Sequence, residues 1–204
     1  MDIESNKKIY IDLICYPLNV LGPDTRVGIW FQGCDIGCDG CISQYTWKQT
    51  DDKLKDLDDV VLELKQYKTN RLTISGGEPF FQPDSLYTLI LKVRDKFDDI
   101  LLYSGYEYSY LNKKYPHILN LIDVLVDGKF NKDLPTKEVY KGSSNQKIYI
   151  FNQKLMKKYI EYINKKKDKL EIFNKDDDLY ILGIPNIQDT KQIQEILNGE
   201  NKNE

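Results

Sequence analysis

Three of the four cysteines, Cys34, Cys38 and Cys41, are gathered in the run GCDIGCDGC with the spacing C-x3-C-x2-C. Three thiolates can hold a four-iron cluster and leave one iron without a protein ligand, whereas ordinary electron-transfer clusters are held by four cysteines. An iron left open is a coordination site for a small molecule. Two other chemistries use the same residues. A structural zinc takes four Cys or His ligands, commonly as two pairs, but the remaining candidates, Cys15 and His117, form no second C-x2-C or H-x3-H pair. Cys38 and Cys41 are also a C-x-x-C, the spacing of thiol redox sites.

The second chemical element is SGGEP, residues 75–79. Gly76 and Gly77 allow a ligand to approach the backbone closely. Glu78 supplies a carboxylate for an ammonium group, and Pro79 stiffens the exit. Alone, the run would be read as a tight turn. It gains meaning from following an apolar strand in a chain that also carries the cysteine triplet.

Alternating strand and helix patterns must position these residues. Strands are expected at 9–14, 26–31, 71–75, 99–104, 122–126 and 147–151. Helices are expected at 51–68, where Leu54, Leu57, Val61, Leu64 and Tyr67 form one stripe, and at 84–97. Residues 106–120 are helical in part, interrupted at Pro116. Such alternation implies βα units and a parallel sheet, with too few units for an eight-stranded barrel. The expectation is therefore an α/β fold, an open, partial β/α barrel over 1–152. An extension at 153–204 would hold a helix at 153–167, a β-hairpin turning near Asn174 to Asp178, and a frayed polar tail. Ligands of open α/β sheets sit at the carboxyl ends of the strands. The cysteine loop, the Gly76-Gly77 turn, the Gly105 turn and the Asp127-Gly128 turn all fall there.

Bulk properties narrow the classes. The 204 residues suit one domain with an appendage, and the net charge of −3 does not favour a nucleic-acid partner. The first residues are polar, and no apolar run approaches the length of a membrane span or signal sequence, so no membrane association and a cytoplasmic location are expected. A reducing compartment would keep the clustered thiols available for iron. The Lys165-Lys166-Lys167 run reads as a solvated helix end. Arg26 is read either as a group near the cluster or a cofactor carboxylate, or as a strand-edge charge. Asp127 and Lys129 either touch a ligand or shape their loop. Cys15 is expected in the core, His117 in a loop, and Trp30 and Trp47 in packing.

Taken together, GPDTR at 22–26, WFQGCDIGCDGC at 30–41, TW at 46–47, SGGEP, YSGY at 103–106, DVLVDGKF at 123–130 and GSSNQ at 142–146 resemble the radical S-adenosylmethionine enzymes. More narrowly, they resemble the activating enzymes of anaerobic ribonucleotide reductase. The resemblance implies a [4Fe-4S] cluster on Cys34, Cys38 and Cys41, with S-adenosylmethionine chelating the fourth iron. It implies that Gly40, Cys41 and Ile42 pass beside the adenine, and that Gly76, Gly77 and Glu78 receive the methionine amino group. Gly40 before the third cysteine follows the activator pattern, while Asp39 replaces a common proline. The implied reaction is reductive cleavage to a 5′-deoxyadenosyl radical, with electrons from a flavodoxin-type donor. That radical takes a hydrogen atom from a glycine of a large glycyl-radical partner, foremost anaerobic ribonucleotide reductase, and no side-chain acid or base is required. The other readings are a radical enzyme acting on a peptide or small metabolite, and a non-catalytic iron-sulfur or zinc protein. The residues after about Asn152 lie beyond the resemblance and are expected to cover the sheet edge or dock a partner.

Overall fold

The computed structural model of the chain describes residues 7–165, 170–175 and 178–185. Its centre is a seven-stranded open sheet built from β1 (Lys8–Leu18), β2 (Arg26–Phe31), β3 (Leu54–Asp56), β4 (Arg71–Gly76), β5 (Asp99–Tyr103), β6 (Val124–Asp127) and β7 (Lys147–Ile150). The order is β3-β1-β2-β4-β5-β6-β7. The pairs β2–β4, β4–β5 and β5–β6 are parallel, as the βα alternation requires. The outer pairs β1–β2, β1–β3 and β6–β7 are antiparallel, so the sheet is mixed rather than wholly parallel.

One face of the sheet packs on α1 (Leu57–Gln66), α2 (Pro83–Val93), α3 (Tyr108–Lys114) and α4 (Pro116–Leu119). Strand periodicity assigns the residues. Leu72, Ile74, Ile100, Leu102 and Leu125 face the helices, while Thr73, Leu101 and Val124 point the other way. In β1 the alternation is broken between Ile11 and Leu13 by a register shift against β2. That irregularity lets Ile9, Ile11 and Ile14 join the helix-side core while Leu13 and Cys15 join the other. Cys15 is fully buried, as expected of a small core residue.

The stretch 51–68 is not one helix. Residues Asp51–Lys53 form a 3₁₀ turn and Leu54–Asp56 pair with Lys8, Ile9 and Tyr10 as an edge strand. The helix begins at Leu57 because the Asp56 side chain accepts from Asp58 N at 2.9 Å and so caps it. Leu54, counted into the helical stripe, is exposed on that edge strand. His117 lies in α4 with its ring edge-on to Tyr87 at 5.0 Å, not in a loop.

The extension contains α5 (Met156–Ile163) and a hairpin of β8 (Glu171–Lys175) and β9 (Asp178–Leu182). Its described residues do not cover an edge of the large sheet. It covers the face away from α1–α4: Tyr159 and Tyr162 pack with Leu101, Val124 and Val126, and Leu182 packs with Leu13, Cys15, Leu18 and Trp30. Glu171 accepts from both Asn19 N (2.9 Å) and Asn19 Nδ2 (2.8 Å), which fixes the hairpin to the turn after β1. The Lys165–Lys167 run and the polar C-terminus lie partly or wholly outside the described residues.

Arg26 is neither beside the cysteine loop nor at an exposed edge. It is fully buried at the start of β2, where the guanidinium donates to Thr73 Oγ1 (2.7 Å), Leu72 O (2.8 Å), Asp99 O (2.9 Å) and Asp99 Oδ1 (3.0 Å). Tyr159 Oη of α5 donates to the same Asp99 Oδ1 at 2.7 Å. Burial alone would raise the Asp99 carboxyl. Arg26, the Tyr159 hydroxyl and Lys158 outweigh it and hold Asp99 below the ordinary carboxylate range. Removing one partner strands the other without solvent, so Arg26→Met and Asp99→Asn are each expected to cost about 3–5 kcal/mol in urea unfolding at neutral pH. The Asp99 contribution is present above the unfolded-state carboxylate pKa and is lost as pH falls through the lower folded value. The gap between wild type and Asp99→Asn should therefore narrow toward acid.

Candidate functional site

The chain leaves β2 at Phe31 and enters the cysteine loop, which is pinned at both ends. Gly33 N donates to Thr46 O (2.7 Å) and Cys34 N to Trp47 O (3.0 Å), so the TW pair closes the loop behind the cysteines. Cys34, Cys38 and Cys41 are free thiols, each partly exposed. Burial pushes the Cys34 and Cys38 thiols up. The backbone N–H groups of Gly37 and Ile36 at Cys34, and of Phe130 at Cys38, act in the other direction. Backbone donors aimed at sulfur are what stabilise thiolates bound to iron and set a cluster's potential.

The Gly76-Gly77 turn packs directly on the root of this loop. Gly77 N donates to Phe31 O (2.9 Å) and Glu78 N to Gly33 O (2.9 Å). A Cβ on Gly76 would fall on the backbone of Phe31, and one on Gly77 on the Gly33 carbonyl. Gly76 also has φ +121°, a conformation that favours glycine. Both glycines are thus required by the approach of two backbone segments, and the turn and the cysteine loop form one unit.

Glu78 is fully buried. Its Oε1 accepts from Phe80 N (3.0 Å) and Ser104 Oγ (2.9 Å), and its Oε2 from Gly105 N (2.8 Å). The carboxylate therefore joins the glycine turn to the YSGY loop, for which the sequence suggests only a turn. Tyr106 Oη reaches on to Asp35 in the cysteine loop, at 2.7 and 2.8 Å. Desolvation pushes the Glu78 carboxyl up to about 7, against those three donors.

The fourth loop is shaped by Asp127, whose carboxylate accepts from Tyr108 N (2.6 Å) and Lys147 N (3.2 Å). Of the two readings of Asp127, the structure supports the shaping one. Lys129 Nζ caps Ile36 O at 3.3 Å. The GSSNQ run braces the same loop from the other side. Gln146 Nε2 donates to Gly128 O and Asn145 Nδ2 to Lys129 O, both at 2.8 Å.

All four loops line one cavity of about 570 Å³. Cys34, Cys38, Gly40, Cys41, Ile42, Gly76, Gly77 and Glu78 are among its lining residues, together with Ser104, Gly105 and Gly128. Trp30 and Trp47, read as packing residues, line it too, as do Phe130 and residues 181–185 of the extension. These last carry no local motif, and only the tertiary path of the chain brings them here. Among the described residues no group of three or more His, Cys, Asp or Glu is placed to hold a single metal ion. A four-iron cluster asks for a different arrangement, in which each thiolate meets a different iron. Three free thiols, two of them with backbone donors, beside a glycine turn on the same cavity, fit such a cluster and a small ligand next to it.

Residues 20–149 match a family model described as a 4Fe-4S single cluster domain. The anaerobic ribonucleoside-triphosphate reductase-activating protein of Enterobacteria phage T4 is 32% identical over 142 residues, spanning 66% of this chain and 90% of that protein. Its counterpart in Escherichia coli (strain K12) is 32% identical over 151 residues, 66% of this chain and 94% of that one. The Vibrio cholerae counterpart is 34% identical over 147 residues, 67% and 95%. With that identity maintained over nearly the whole length of each relative, the chain belongs to their family: it is a radical S-adenosylmethionine enzyme with a single [4Fe-4S] cluster domain, homologous to the anaerobic ribonucleotide reductase activators.

Proposed function

We propose that this enzyme generates a glycyl radical on a large partner, foremost an anaerobic ribonucleotide reductase, with electrons from a flavodoxin-type donor. The observation that carries the reading is the meeting of three free thiols and the Gly76-Gly77 backbone on one cavity. In this reading Cys34, Cys38 and Cys41 hold the cluster. Gly40, Cys41 and Ile42 flank the adenine, and Gly76, Gly77 and Glu78 receive the methionine ammonium group. Held by those three thiolates, a cluster would supply the single electron for reductive cleavage of S-adenosylmethionine to methionine and a 5′-deoxyadenosyl radical, which would take a hydrogen atom from glycine. The protein's own part is positional. The Thr46 and Trp47 carbonyls fix the cysteine loop, Glu78 locks the glycine turn to the Ser104-Gly105 loop, and backbone N–H groups face the sulfurs. Gly40 and Ile42 themselves bring no charge to the lining beside Cys41, which suits a nucleobase.

The direct test is anaerobic reconstitution with iron and sulfide, addition of S-adenosylmethionine, reductant and a candidate reductase, and electron paramagnetic resonance. A glycyl-radical doublet on the reductase is expected. S-adenosylmethionine cleavage with turnover of a small metabolite and no doublet would refute the reading in favour of a different substrate.

Replacing Cys34, Cys38 or Cys41 with Ala is expected to abolish cluster assembly, measured as iron per chain and visible absorbance, while Cys15→Ala keeps it. The structure further predicts that Gly77→Val lowers iron content as well as cofactor affinity, because its side chain would displace the Gly33 carbonyl beside Cys34. Normal iron content in Gly77→Val would separate the turn from the loop.

Glu78 gives a pH signature in the apoprotein. Its folded pKa of about 7 stands above the ordinary glutamate value, so between the two the folded state binds a proton that the unfolded state has released. Its stabilisation is present below the unfolded-state value and is lost as pH rises through about 7. Measured against Glu78→Gln, which does not titrate, wild type should lose relative stability from pH about 5 to about 8. A constant difference across that range would place the Glu78 pKa near its unfolded value.

A further inference from the structure

One part of the cavity lining comes from outside the shared family region. The family match ends at residue 149, yet Leu182, Ile184 and Pro185 border the cavity. Leu182 is buried against Trp30, and Ile184 packs on the same cluster. The position is held at a distance by the Glu171–Asn19 hydrogen bonds and by α5, so this stretch is a wall rather than a loose end.

The chemistry of the lining is uneven. If the cysteine loop and glycine turn are taken up by the cofactors, a target meets the loop after Phe130 and this wall. The wall carries no charged side chain. The lysine in the lining, Lys132, is held by Asp39 at 2.5 Å, and Asp133 beside it is acidic. A phosphate or carboxylate entering here would lose its water and gain no free cation from the described lining. A stretch of peptide backbone carries no charge, and a glycine adds no side chain to fit against Leu182 and Ile184.

We propose that Leu182, Ile184 and Pro185 form an uncharged, apolar specificity wall which, beside a loop whose lysine is already paired with Asp39, selects an uncharged glycine-bearing peptide segment over an anionic small molecule. This rests on the glycyl-radical reading for the identity of the target, but the neutrality of the wall can be measured without it.

Two experiments separate the ideas, each with wild type, Ile184→Lys and Pro185→Lys, the second variant covering the event that the first fails to fold. In the full-length apoprotein, Cys34, Cys38 and Cys41 report on the cavity. Their alkylation by neutral iodoacetamide and anionic iodoacetate is followed by peptide mass spectrometry. Wild type should prefer the neutral reagent more than an unstructured cysteine peptide does, and a lysine on the wall should reduce that preference about fivefold. Equal preference in wild type and both variants would overturn the wall. In the reconstituted enzyme with a reductase, glycyl radical formed per 5′-deoxyadenosine released should fall about tenfold in the variants. An unchanged ratio overturns the wall and leaves the function standing. No radical with wild-type enzyme, alongside the expected labelling shift, overturns the function and leaves the wall standing.

Discussion

The arrangement depends first on the buried pairing of Arg26 with Asp99. Two charges removed from water are tolerated only when their remaining hydrogen-bonding capacity is filled. Here it is filled by backbone and side-chain groups of β4 and β5 and by a tyrosine of the extension. The pair therefore does more than join neighbouring strands. It gives α5 a fixed attachment at the strand starts, and Tyr162 adds a second by accepting from Gly22 N at 3.0 Å. With α5 held there, the following hairpin is laid along the inner face of the sheet and its end reaches the cavity at the strand ends.

The second carboxylate that organises the fold, Glu78, sits at that other end and behaves oppositely. Asp99 has a guanidinium against it and is held ionised. Glu78 has only dipolar donors, from two N–H groups and a hydroxyl, and desolvation wins. The contrast follows their roles. Asp99 closes a structural joint that exchanges nothing with solvent. Glu78 joins two loops on the cavity lining, where an arriving cation would complete its environment. This is the electrostatic ground for the proposed role of Glu78 toward an ammonium group.

Much of this was legible in the sequence because it is local. The cysteine spacing, the SGGEP turn and the apolar strands each occupy a few consecutive residues, and the four parallel strands follow from βα alternation. What was misread is tertiary. Residues 51–56 have helical spacing, yet the free edge of β1 takes Leu54–Asp56 as a strand, and Asp56 caps a helix that begins later. Arg26 is a charge at a strand start, and nothing local says that Asp99 will lie against it. The glycine turn and the cysteine loop are far apart in the sequence. In space, Gly77 and Gly33 share a backbone contact.

The extension shows why sequence distance misleads most at a site. An open sheet whose inner face carried only Leu13, Leu18, Trp30, Leu101 and Val126 would expose a contiguous apolar surface, which in soluble proteins marks a place that something must cover. In this chain α5 and the hairpin cover it. Covering that face and shaping the cavity are then the same act, because the strands that carry the apolar face end at the loops that carry the chemistry. A segment recruited to bury Trp30 cannot avoid bordering the space beside Cys34 and Gly77. The packing of that face and the lining of the cavity are thereby placed on the same few residues.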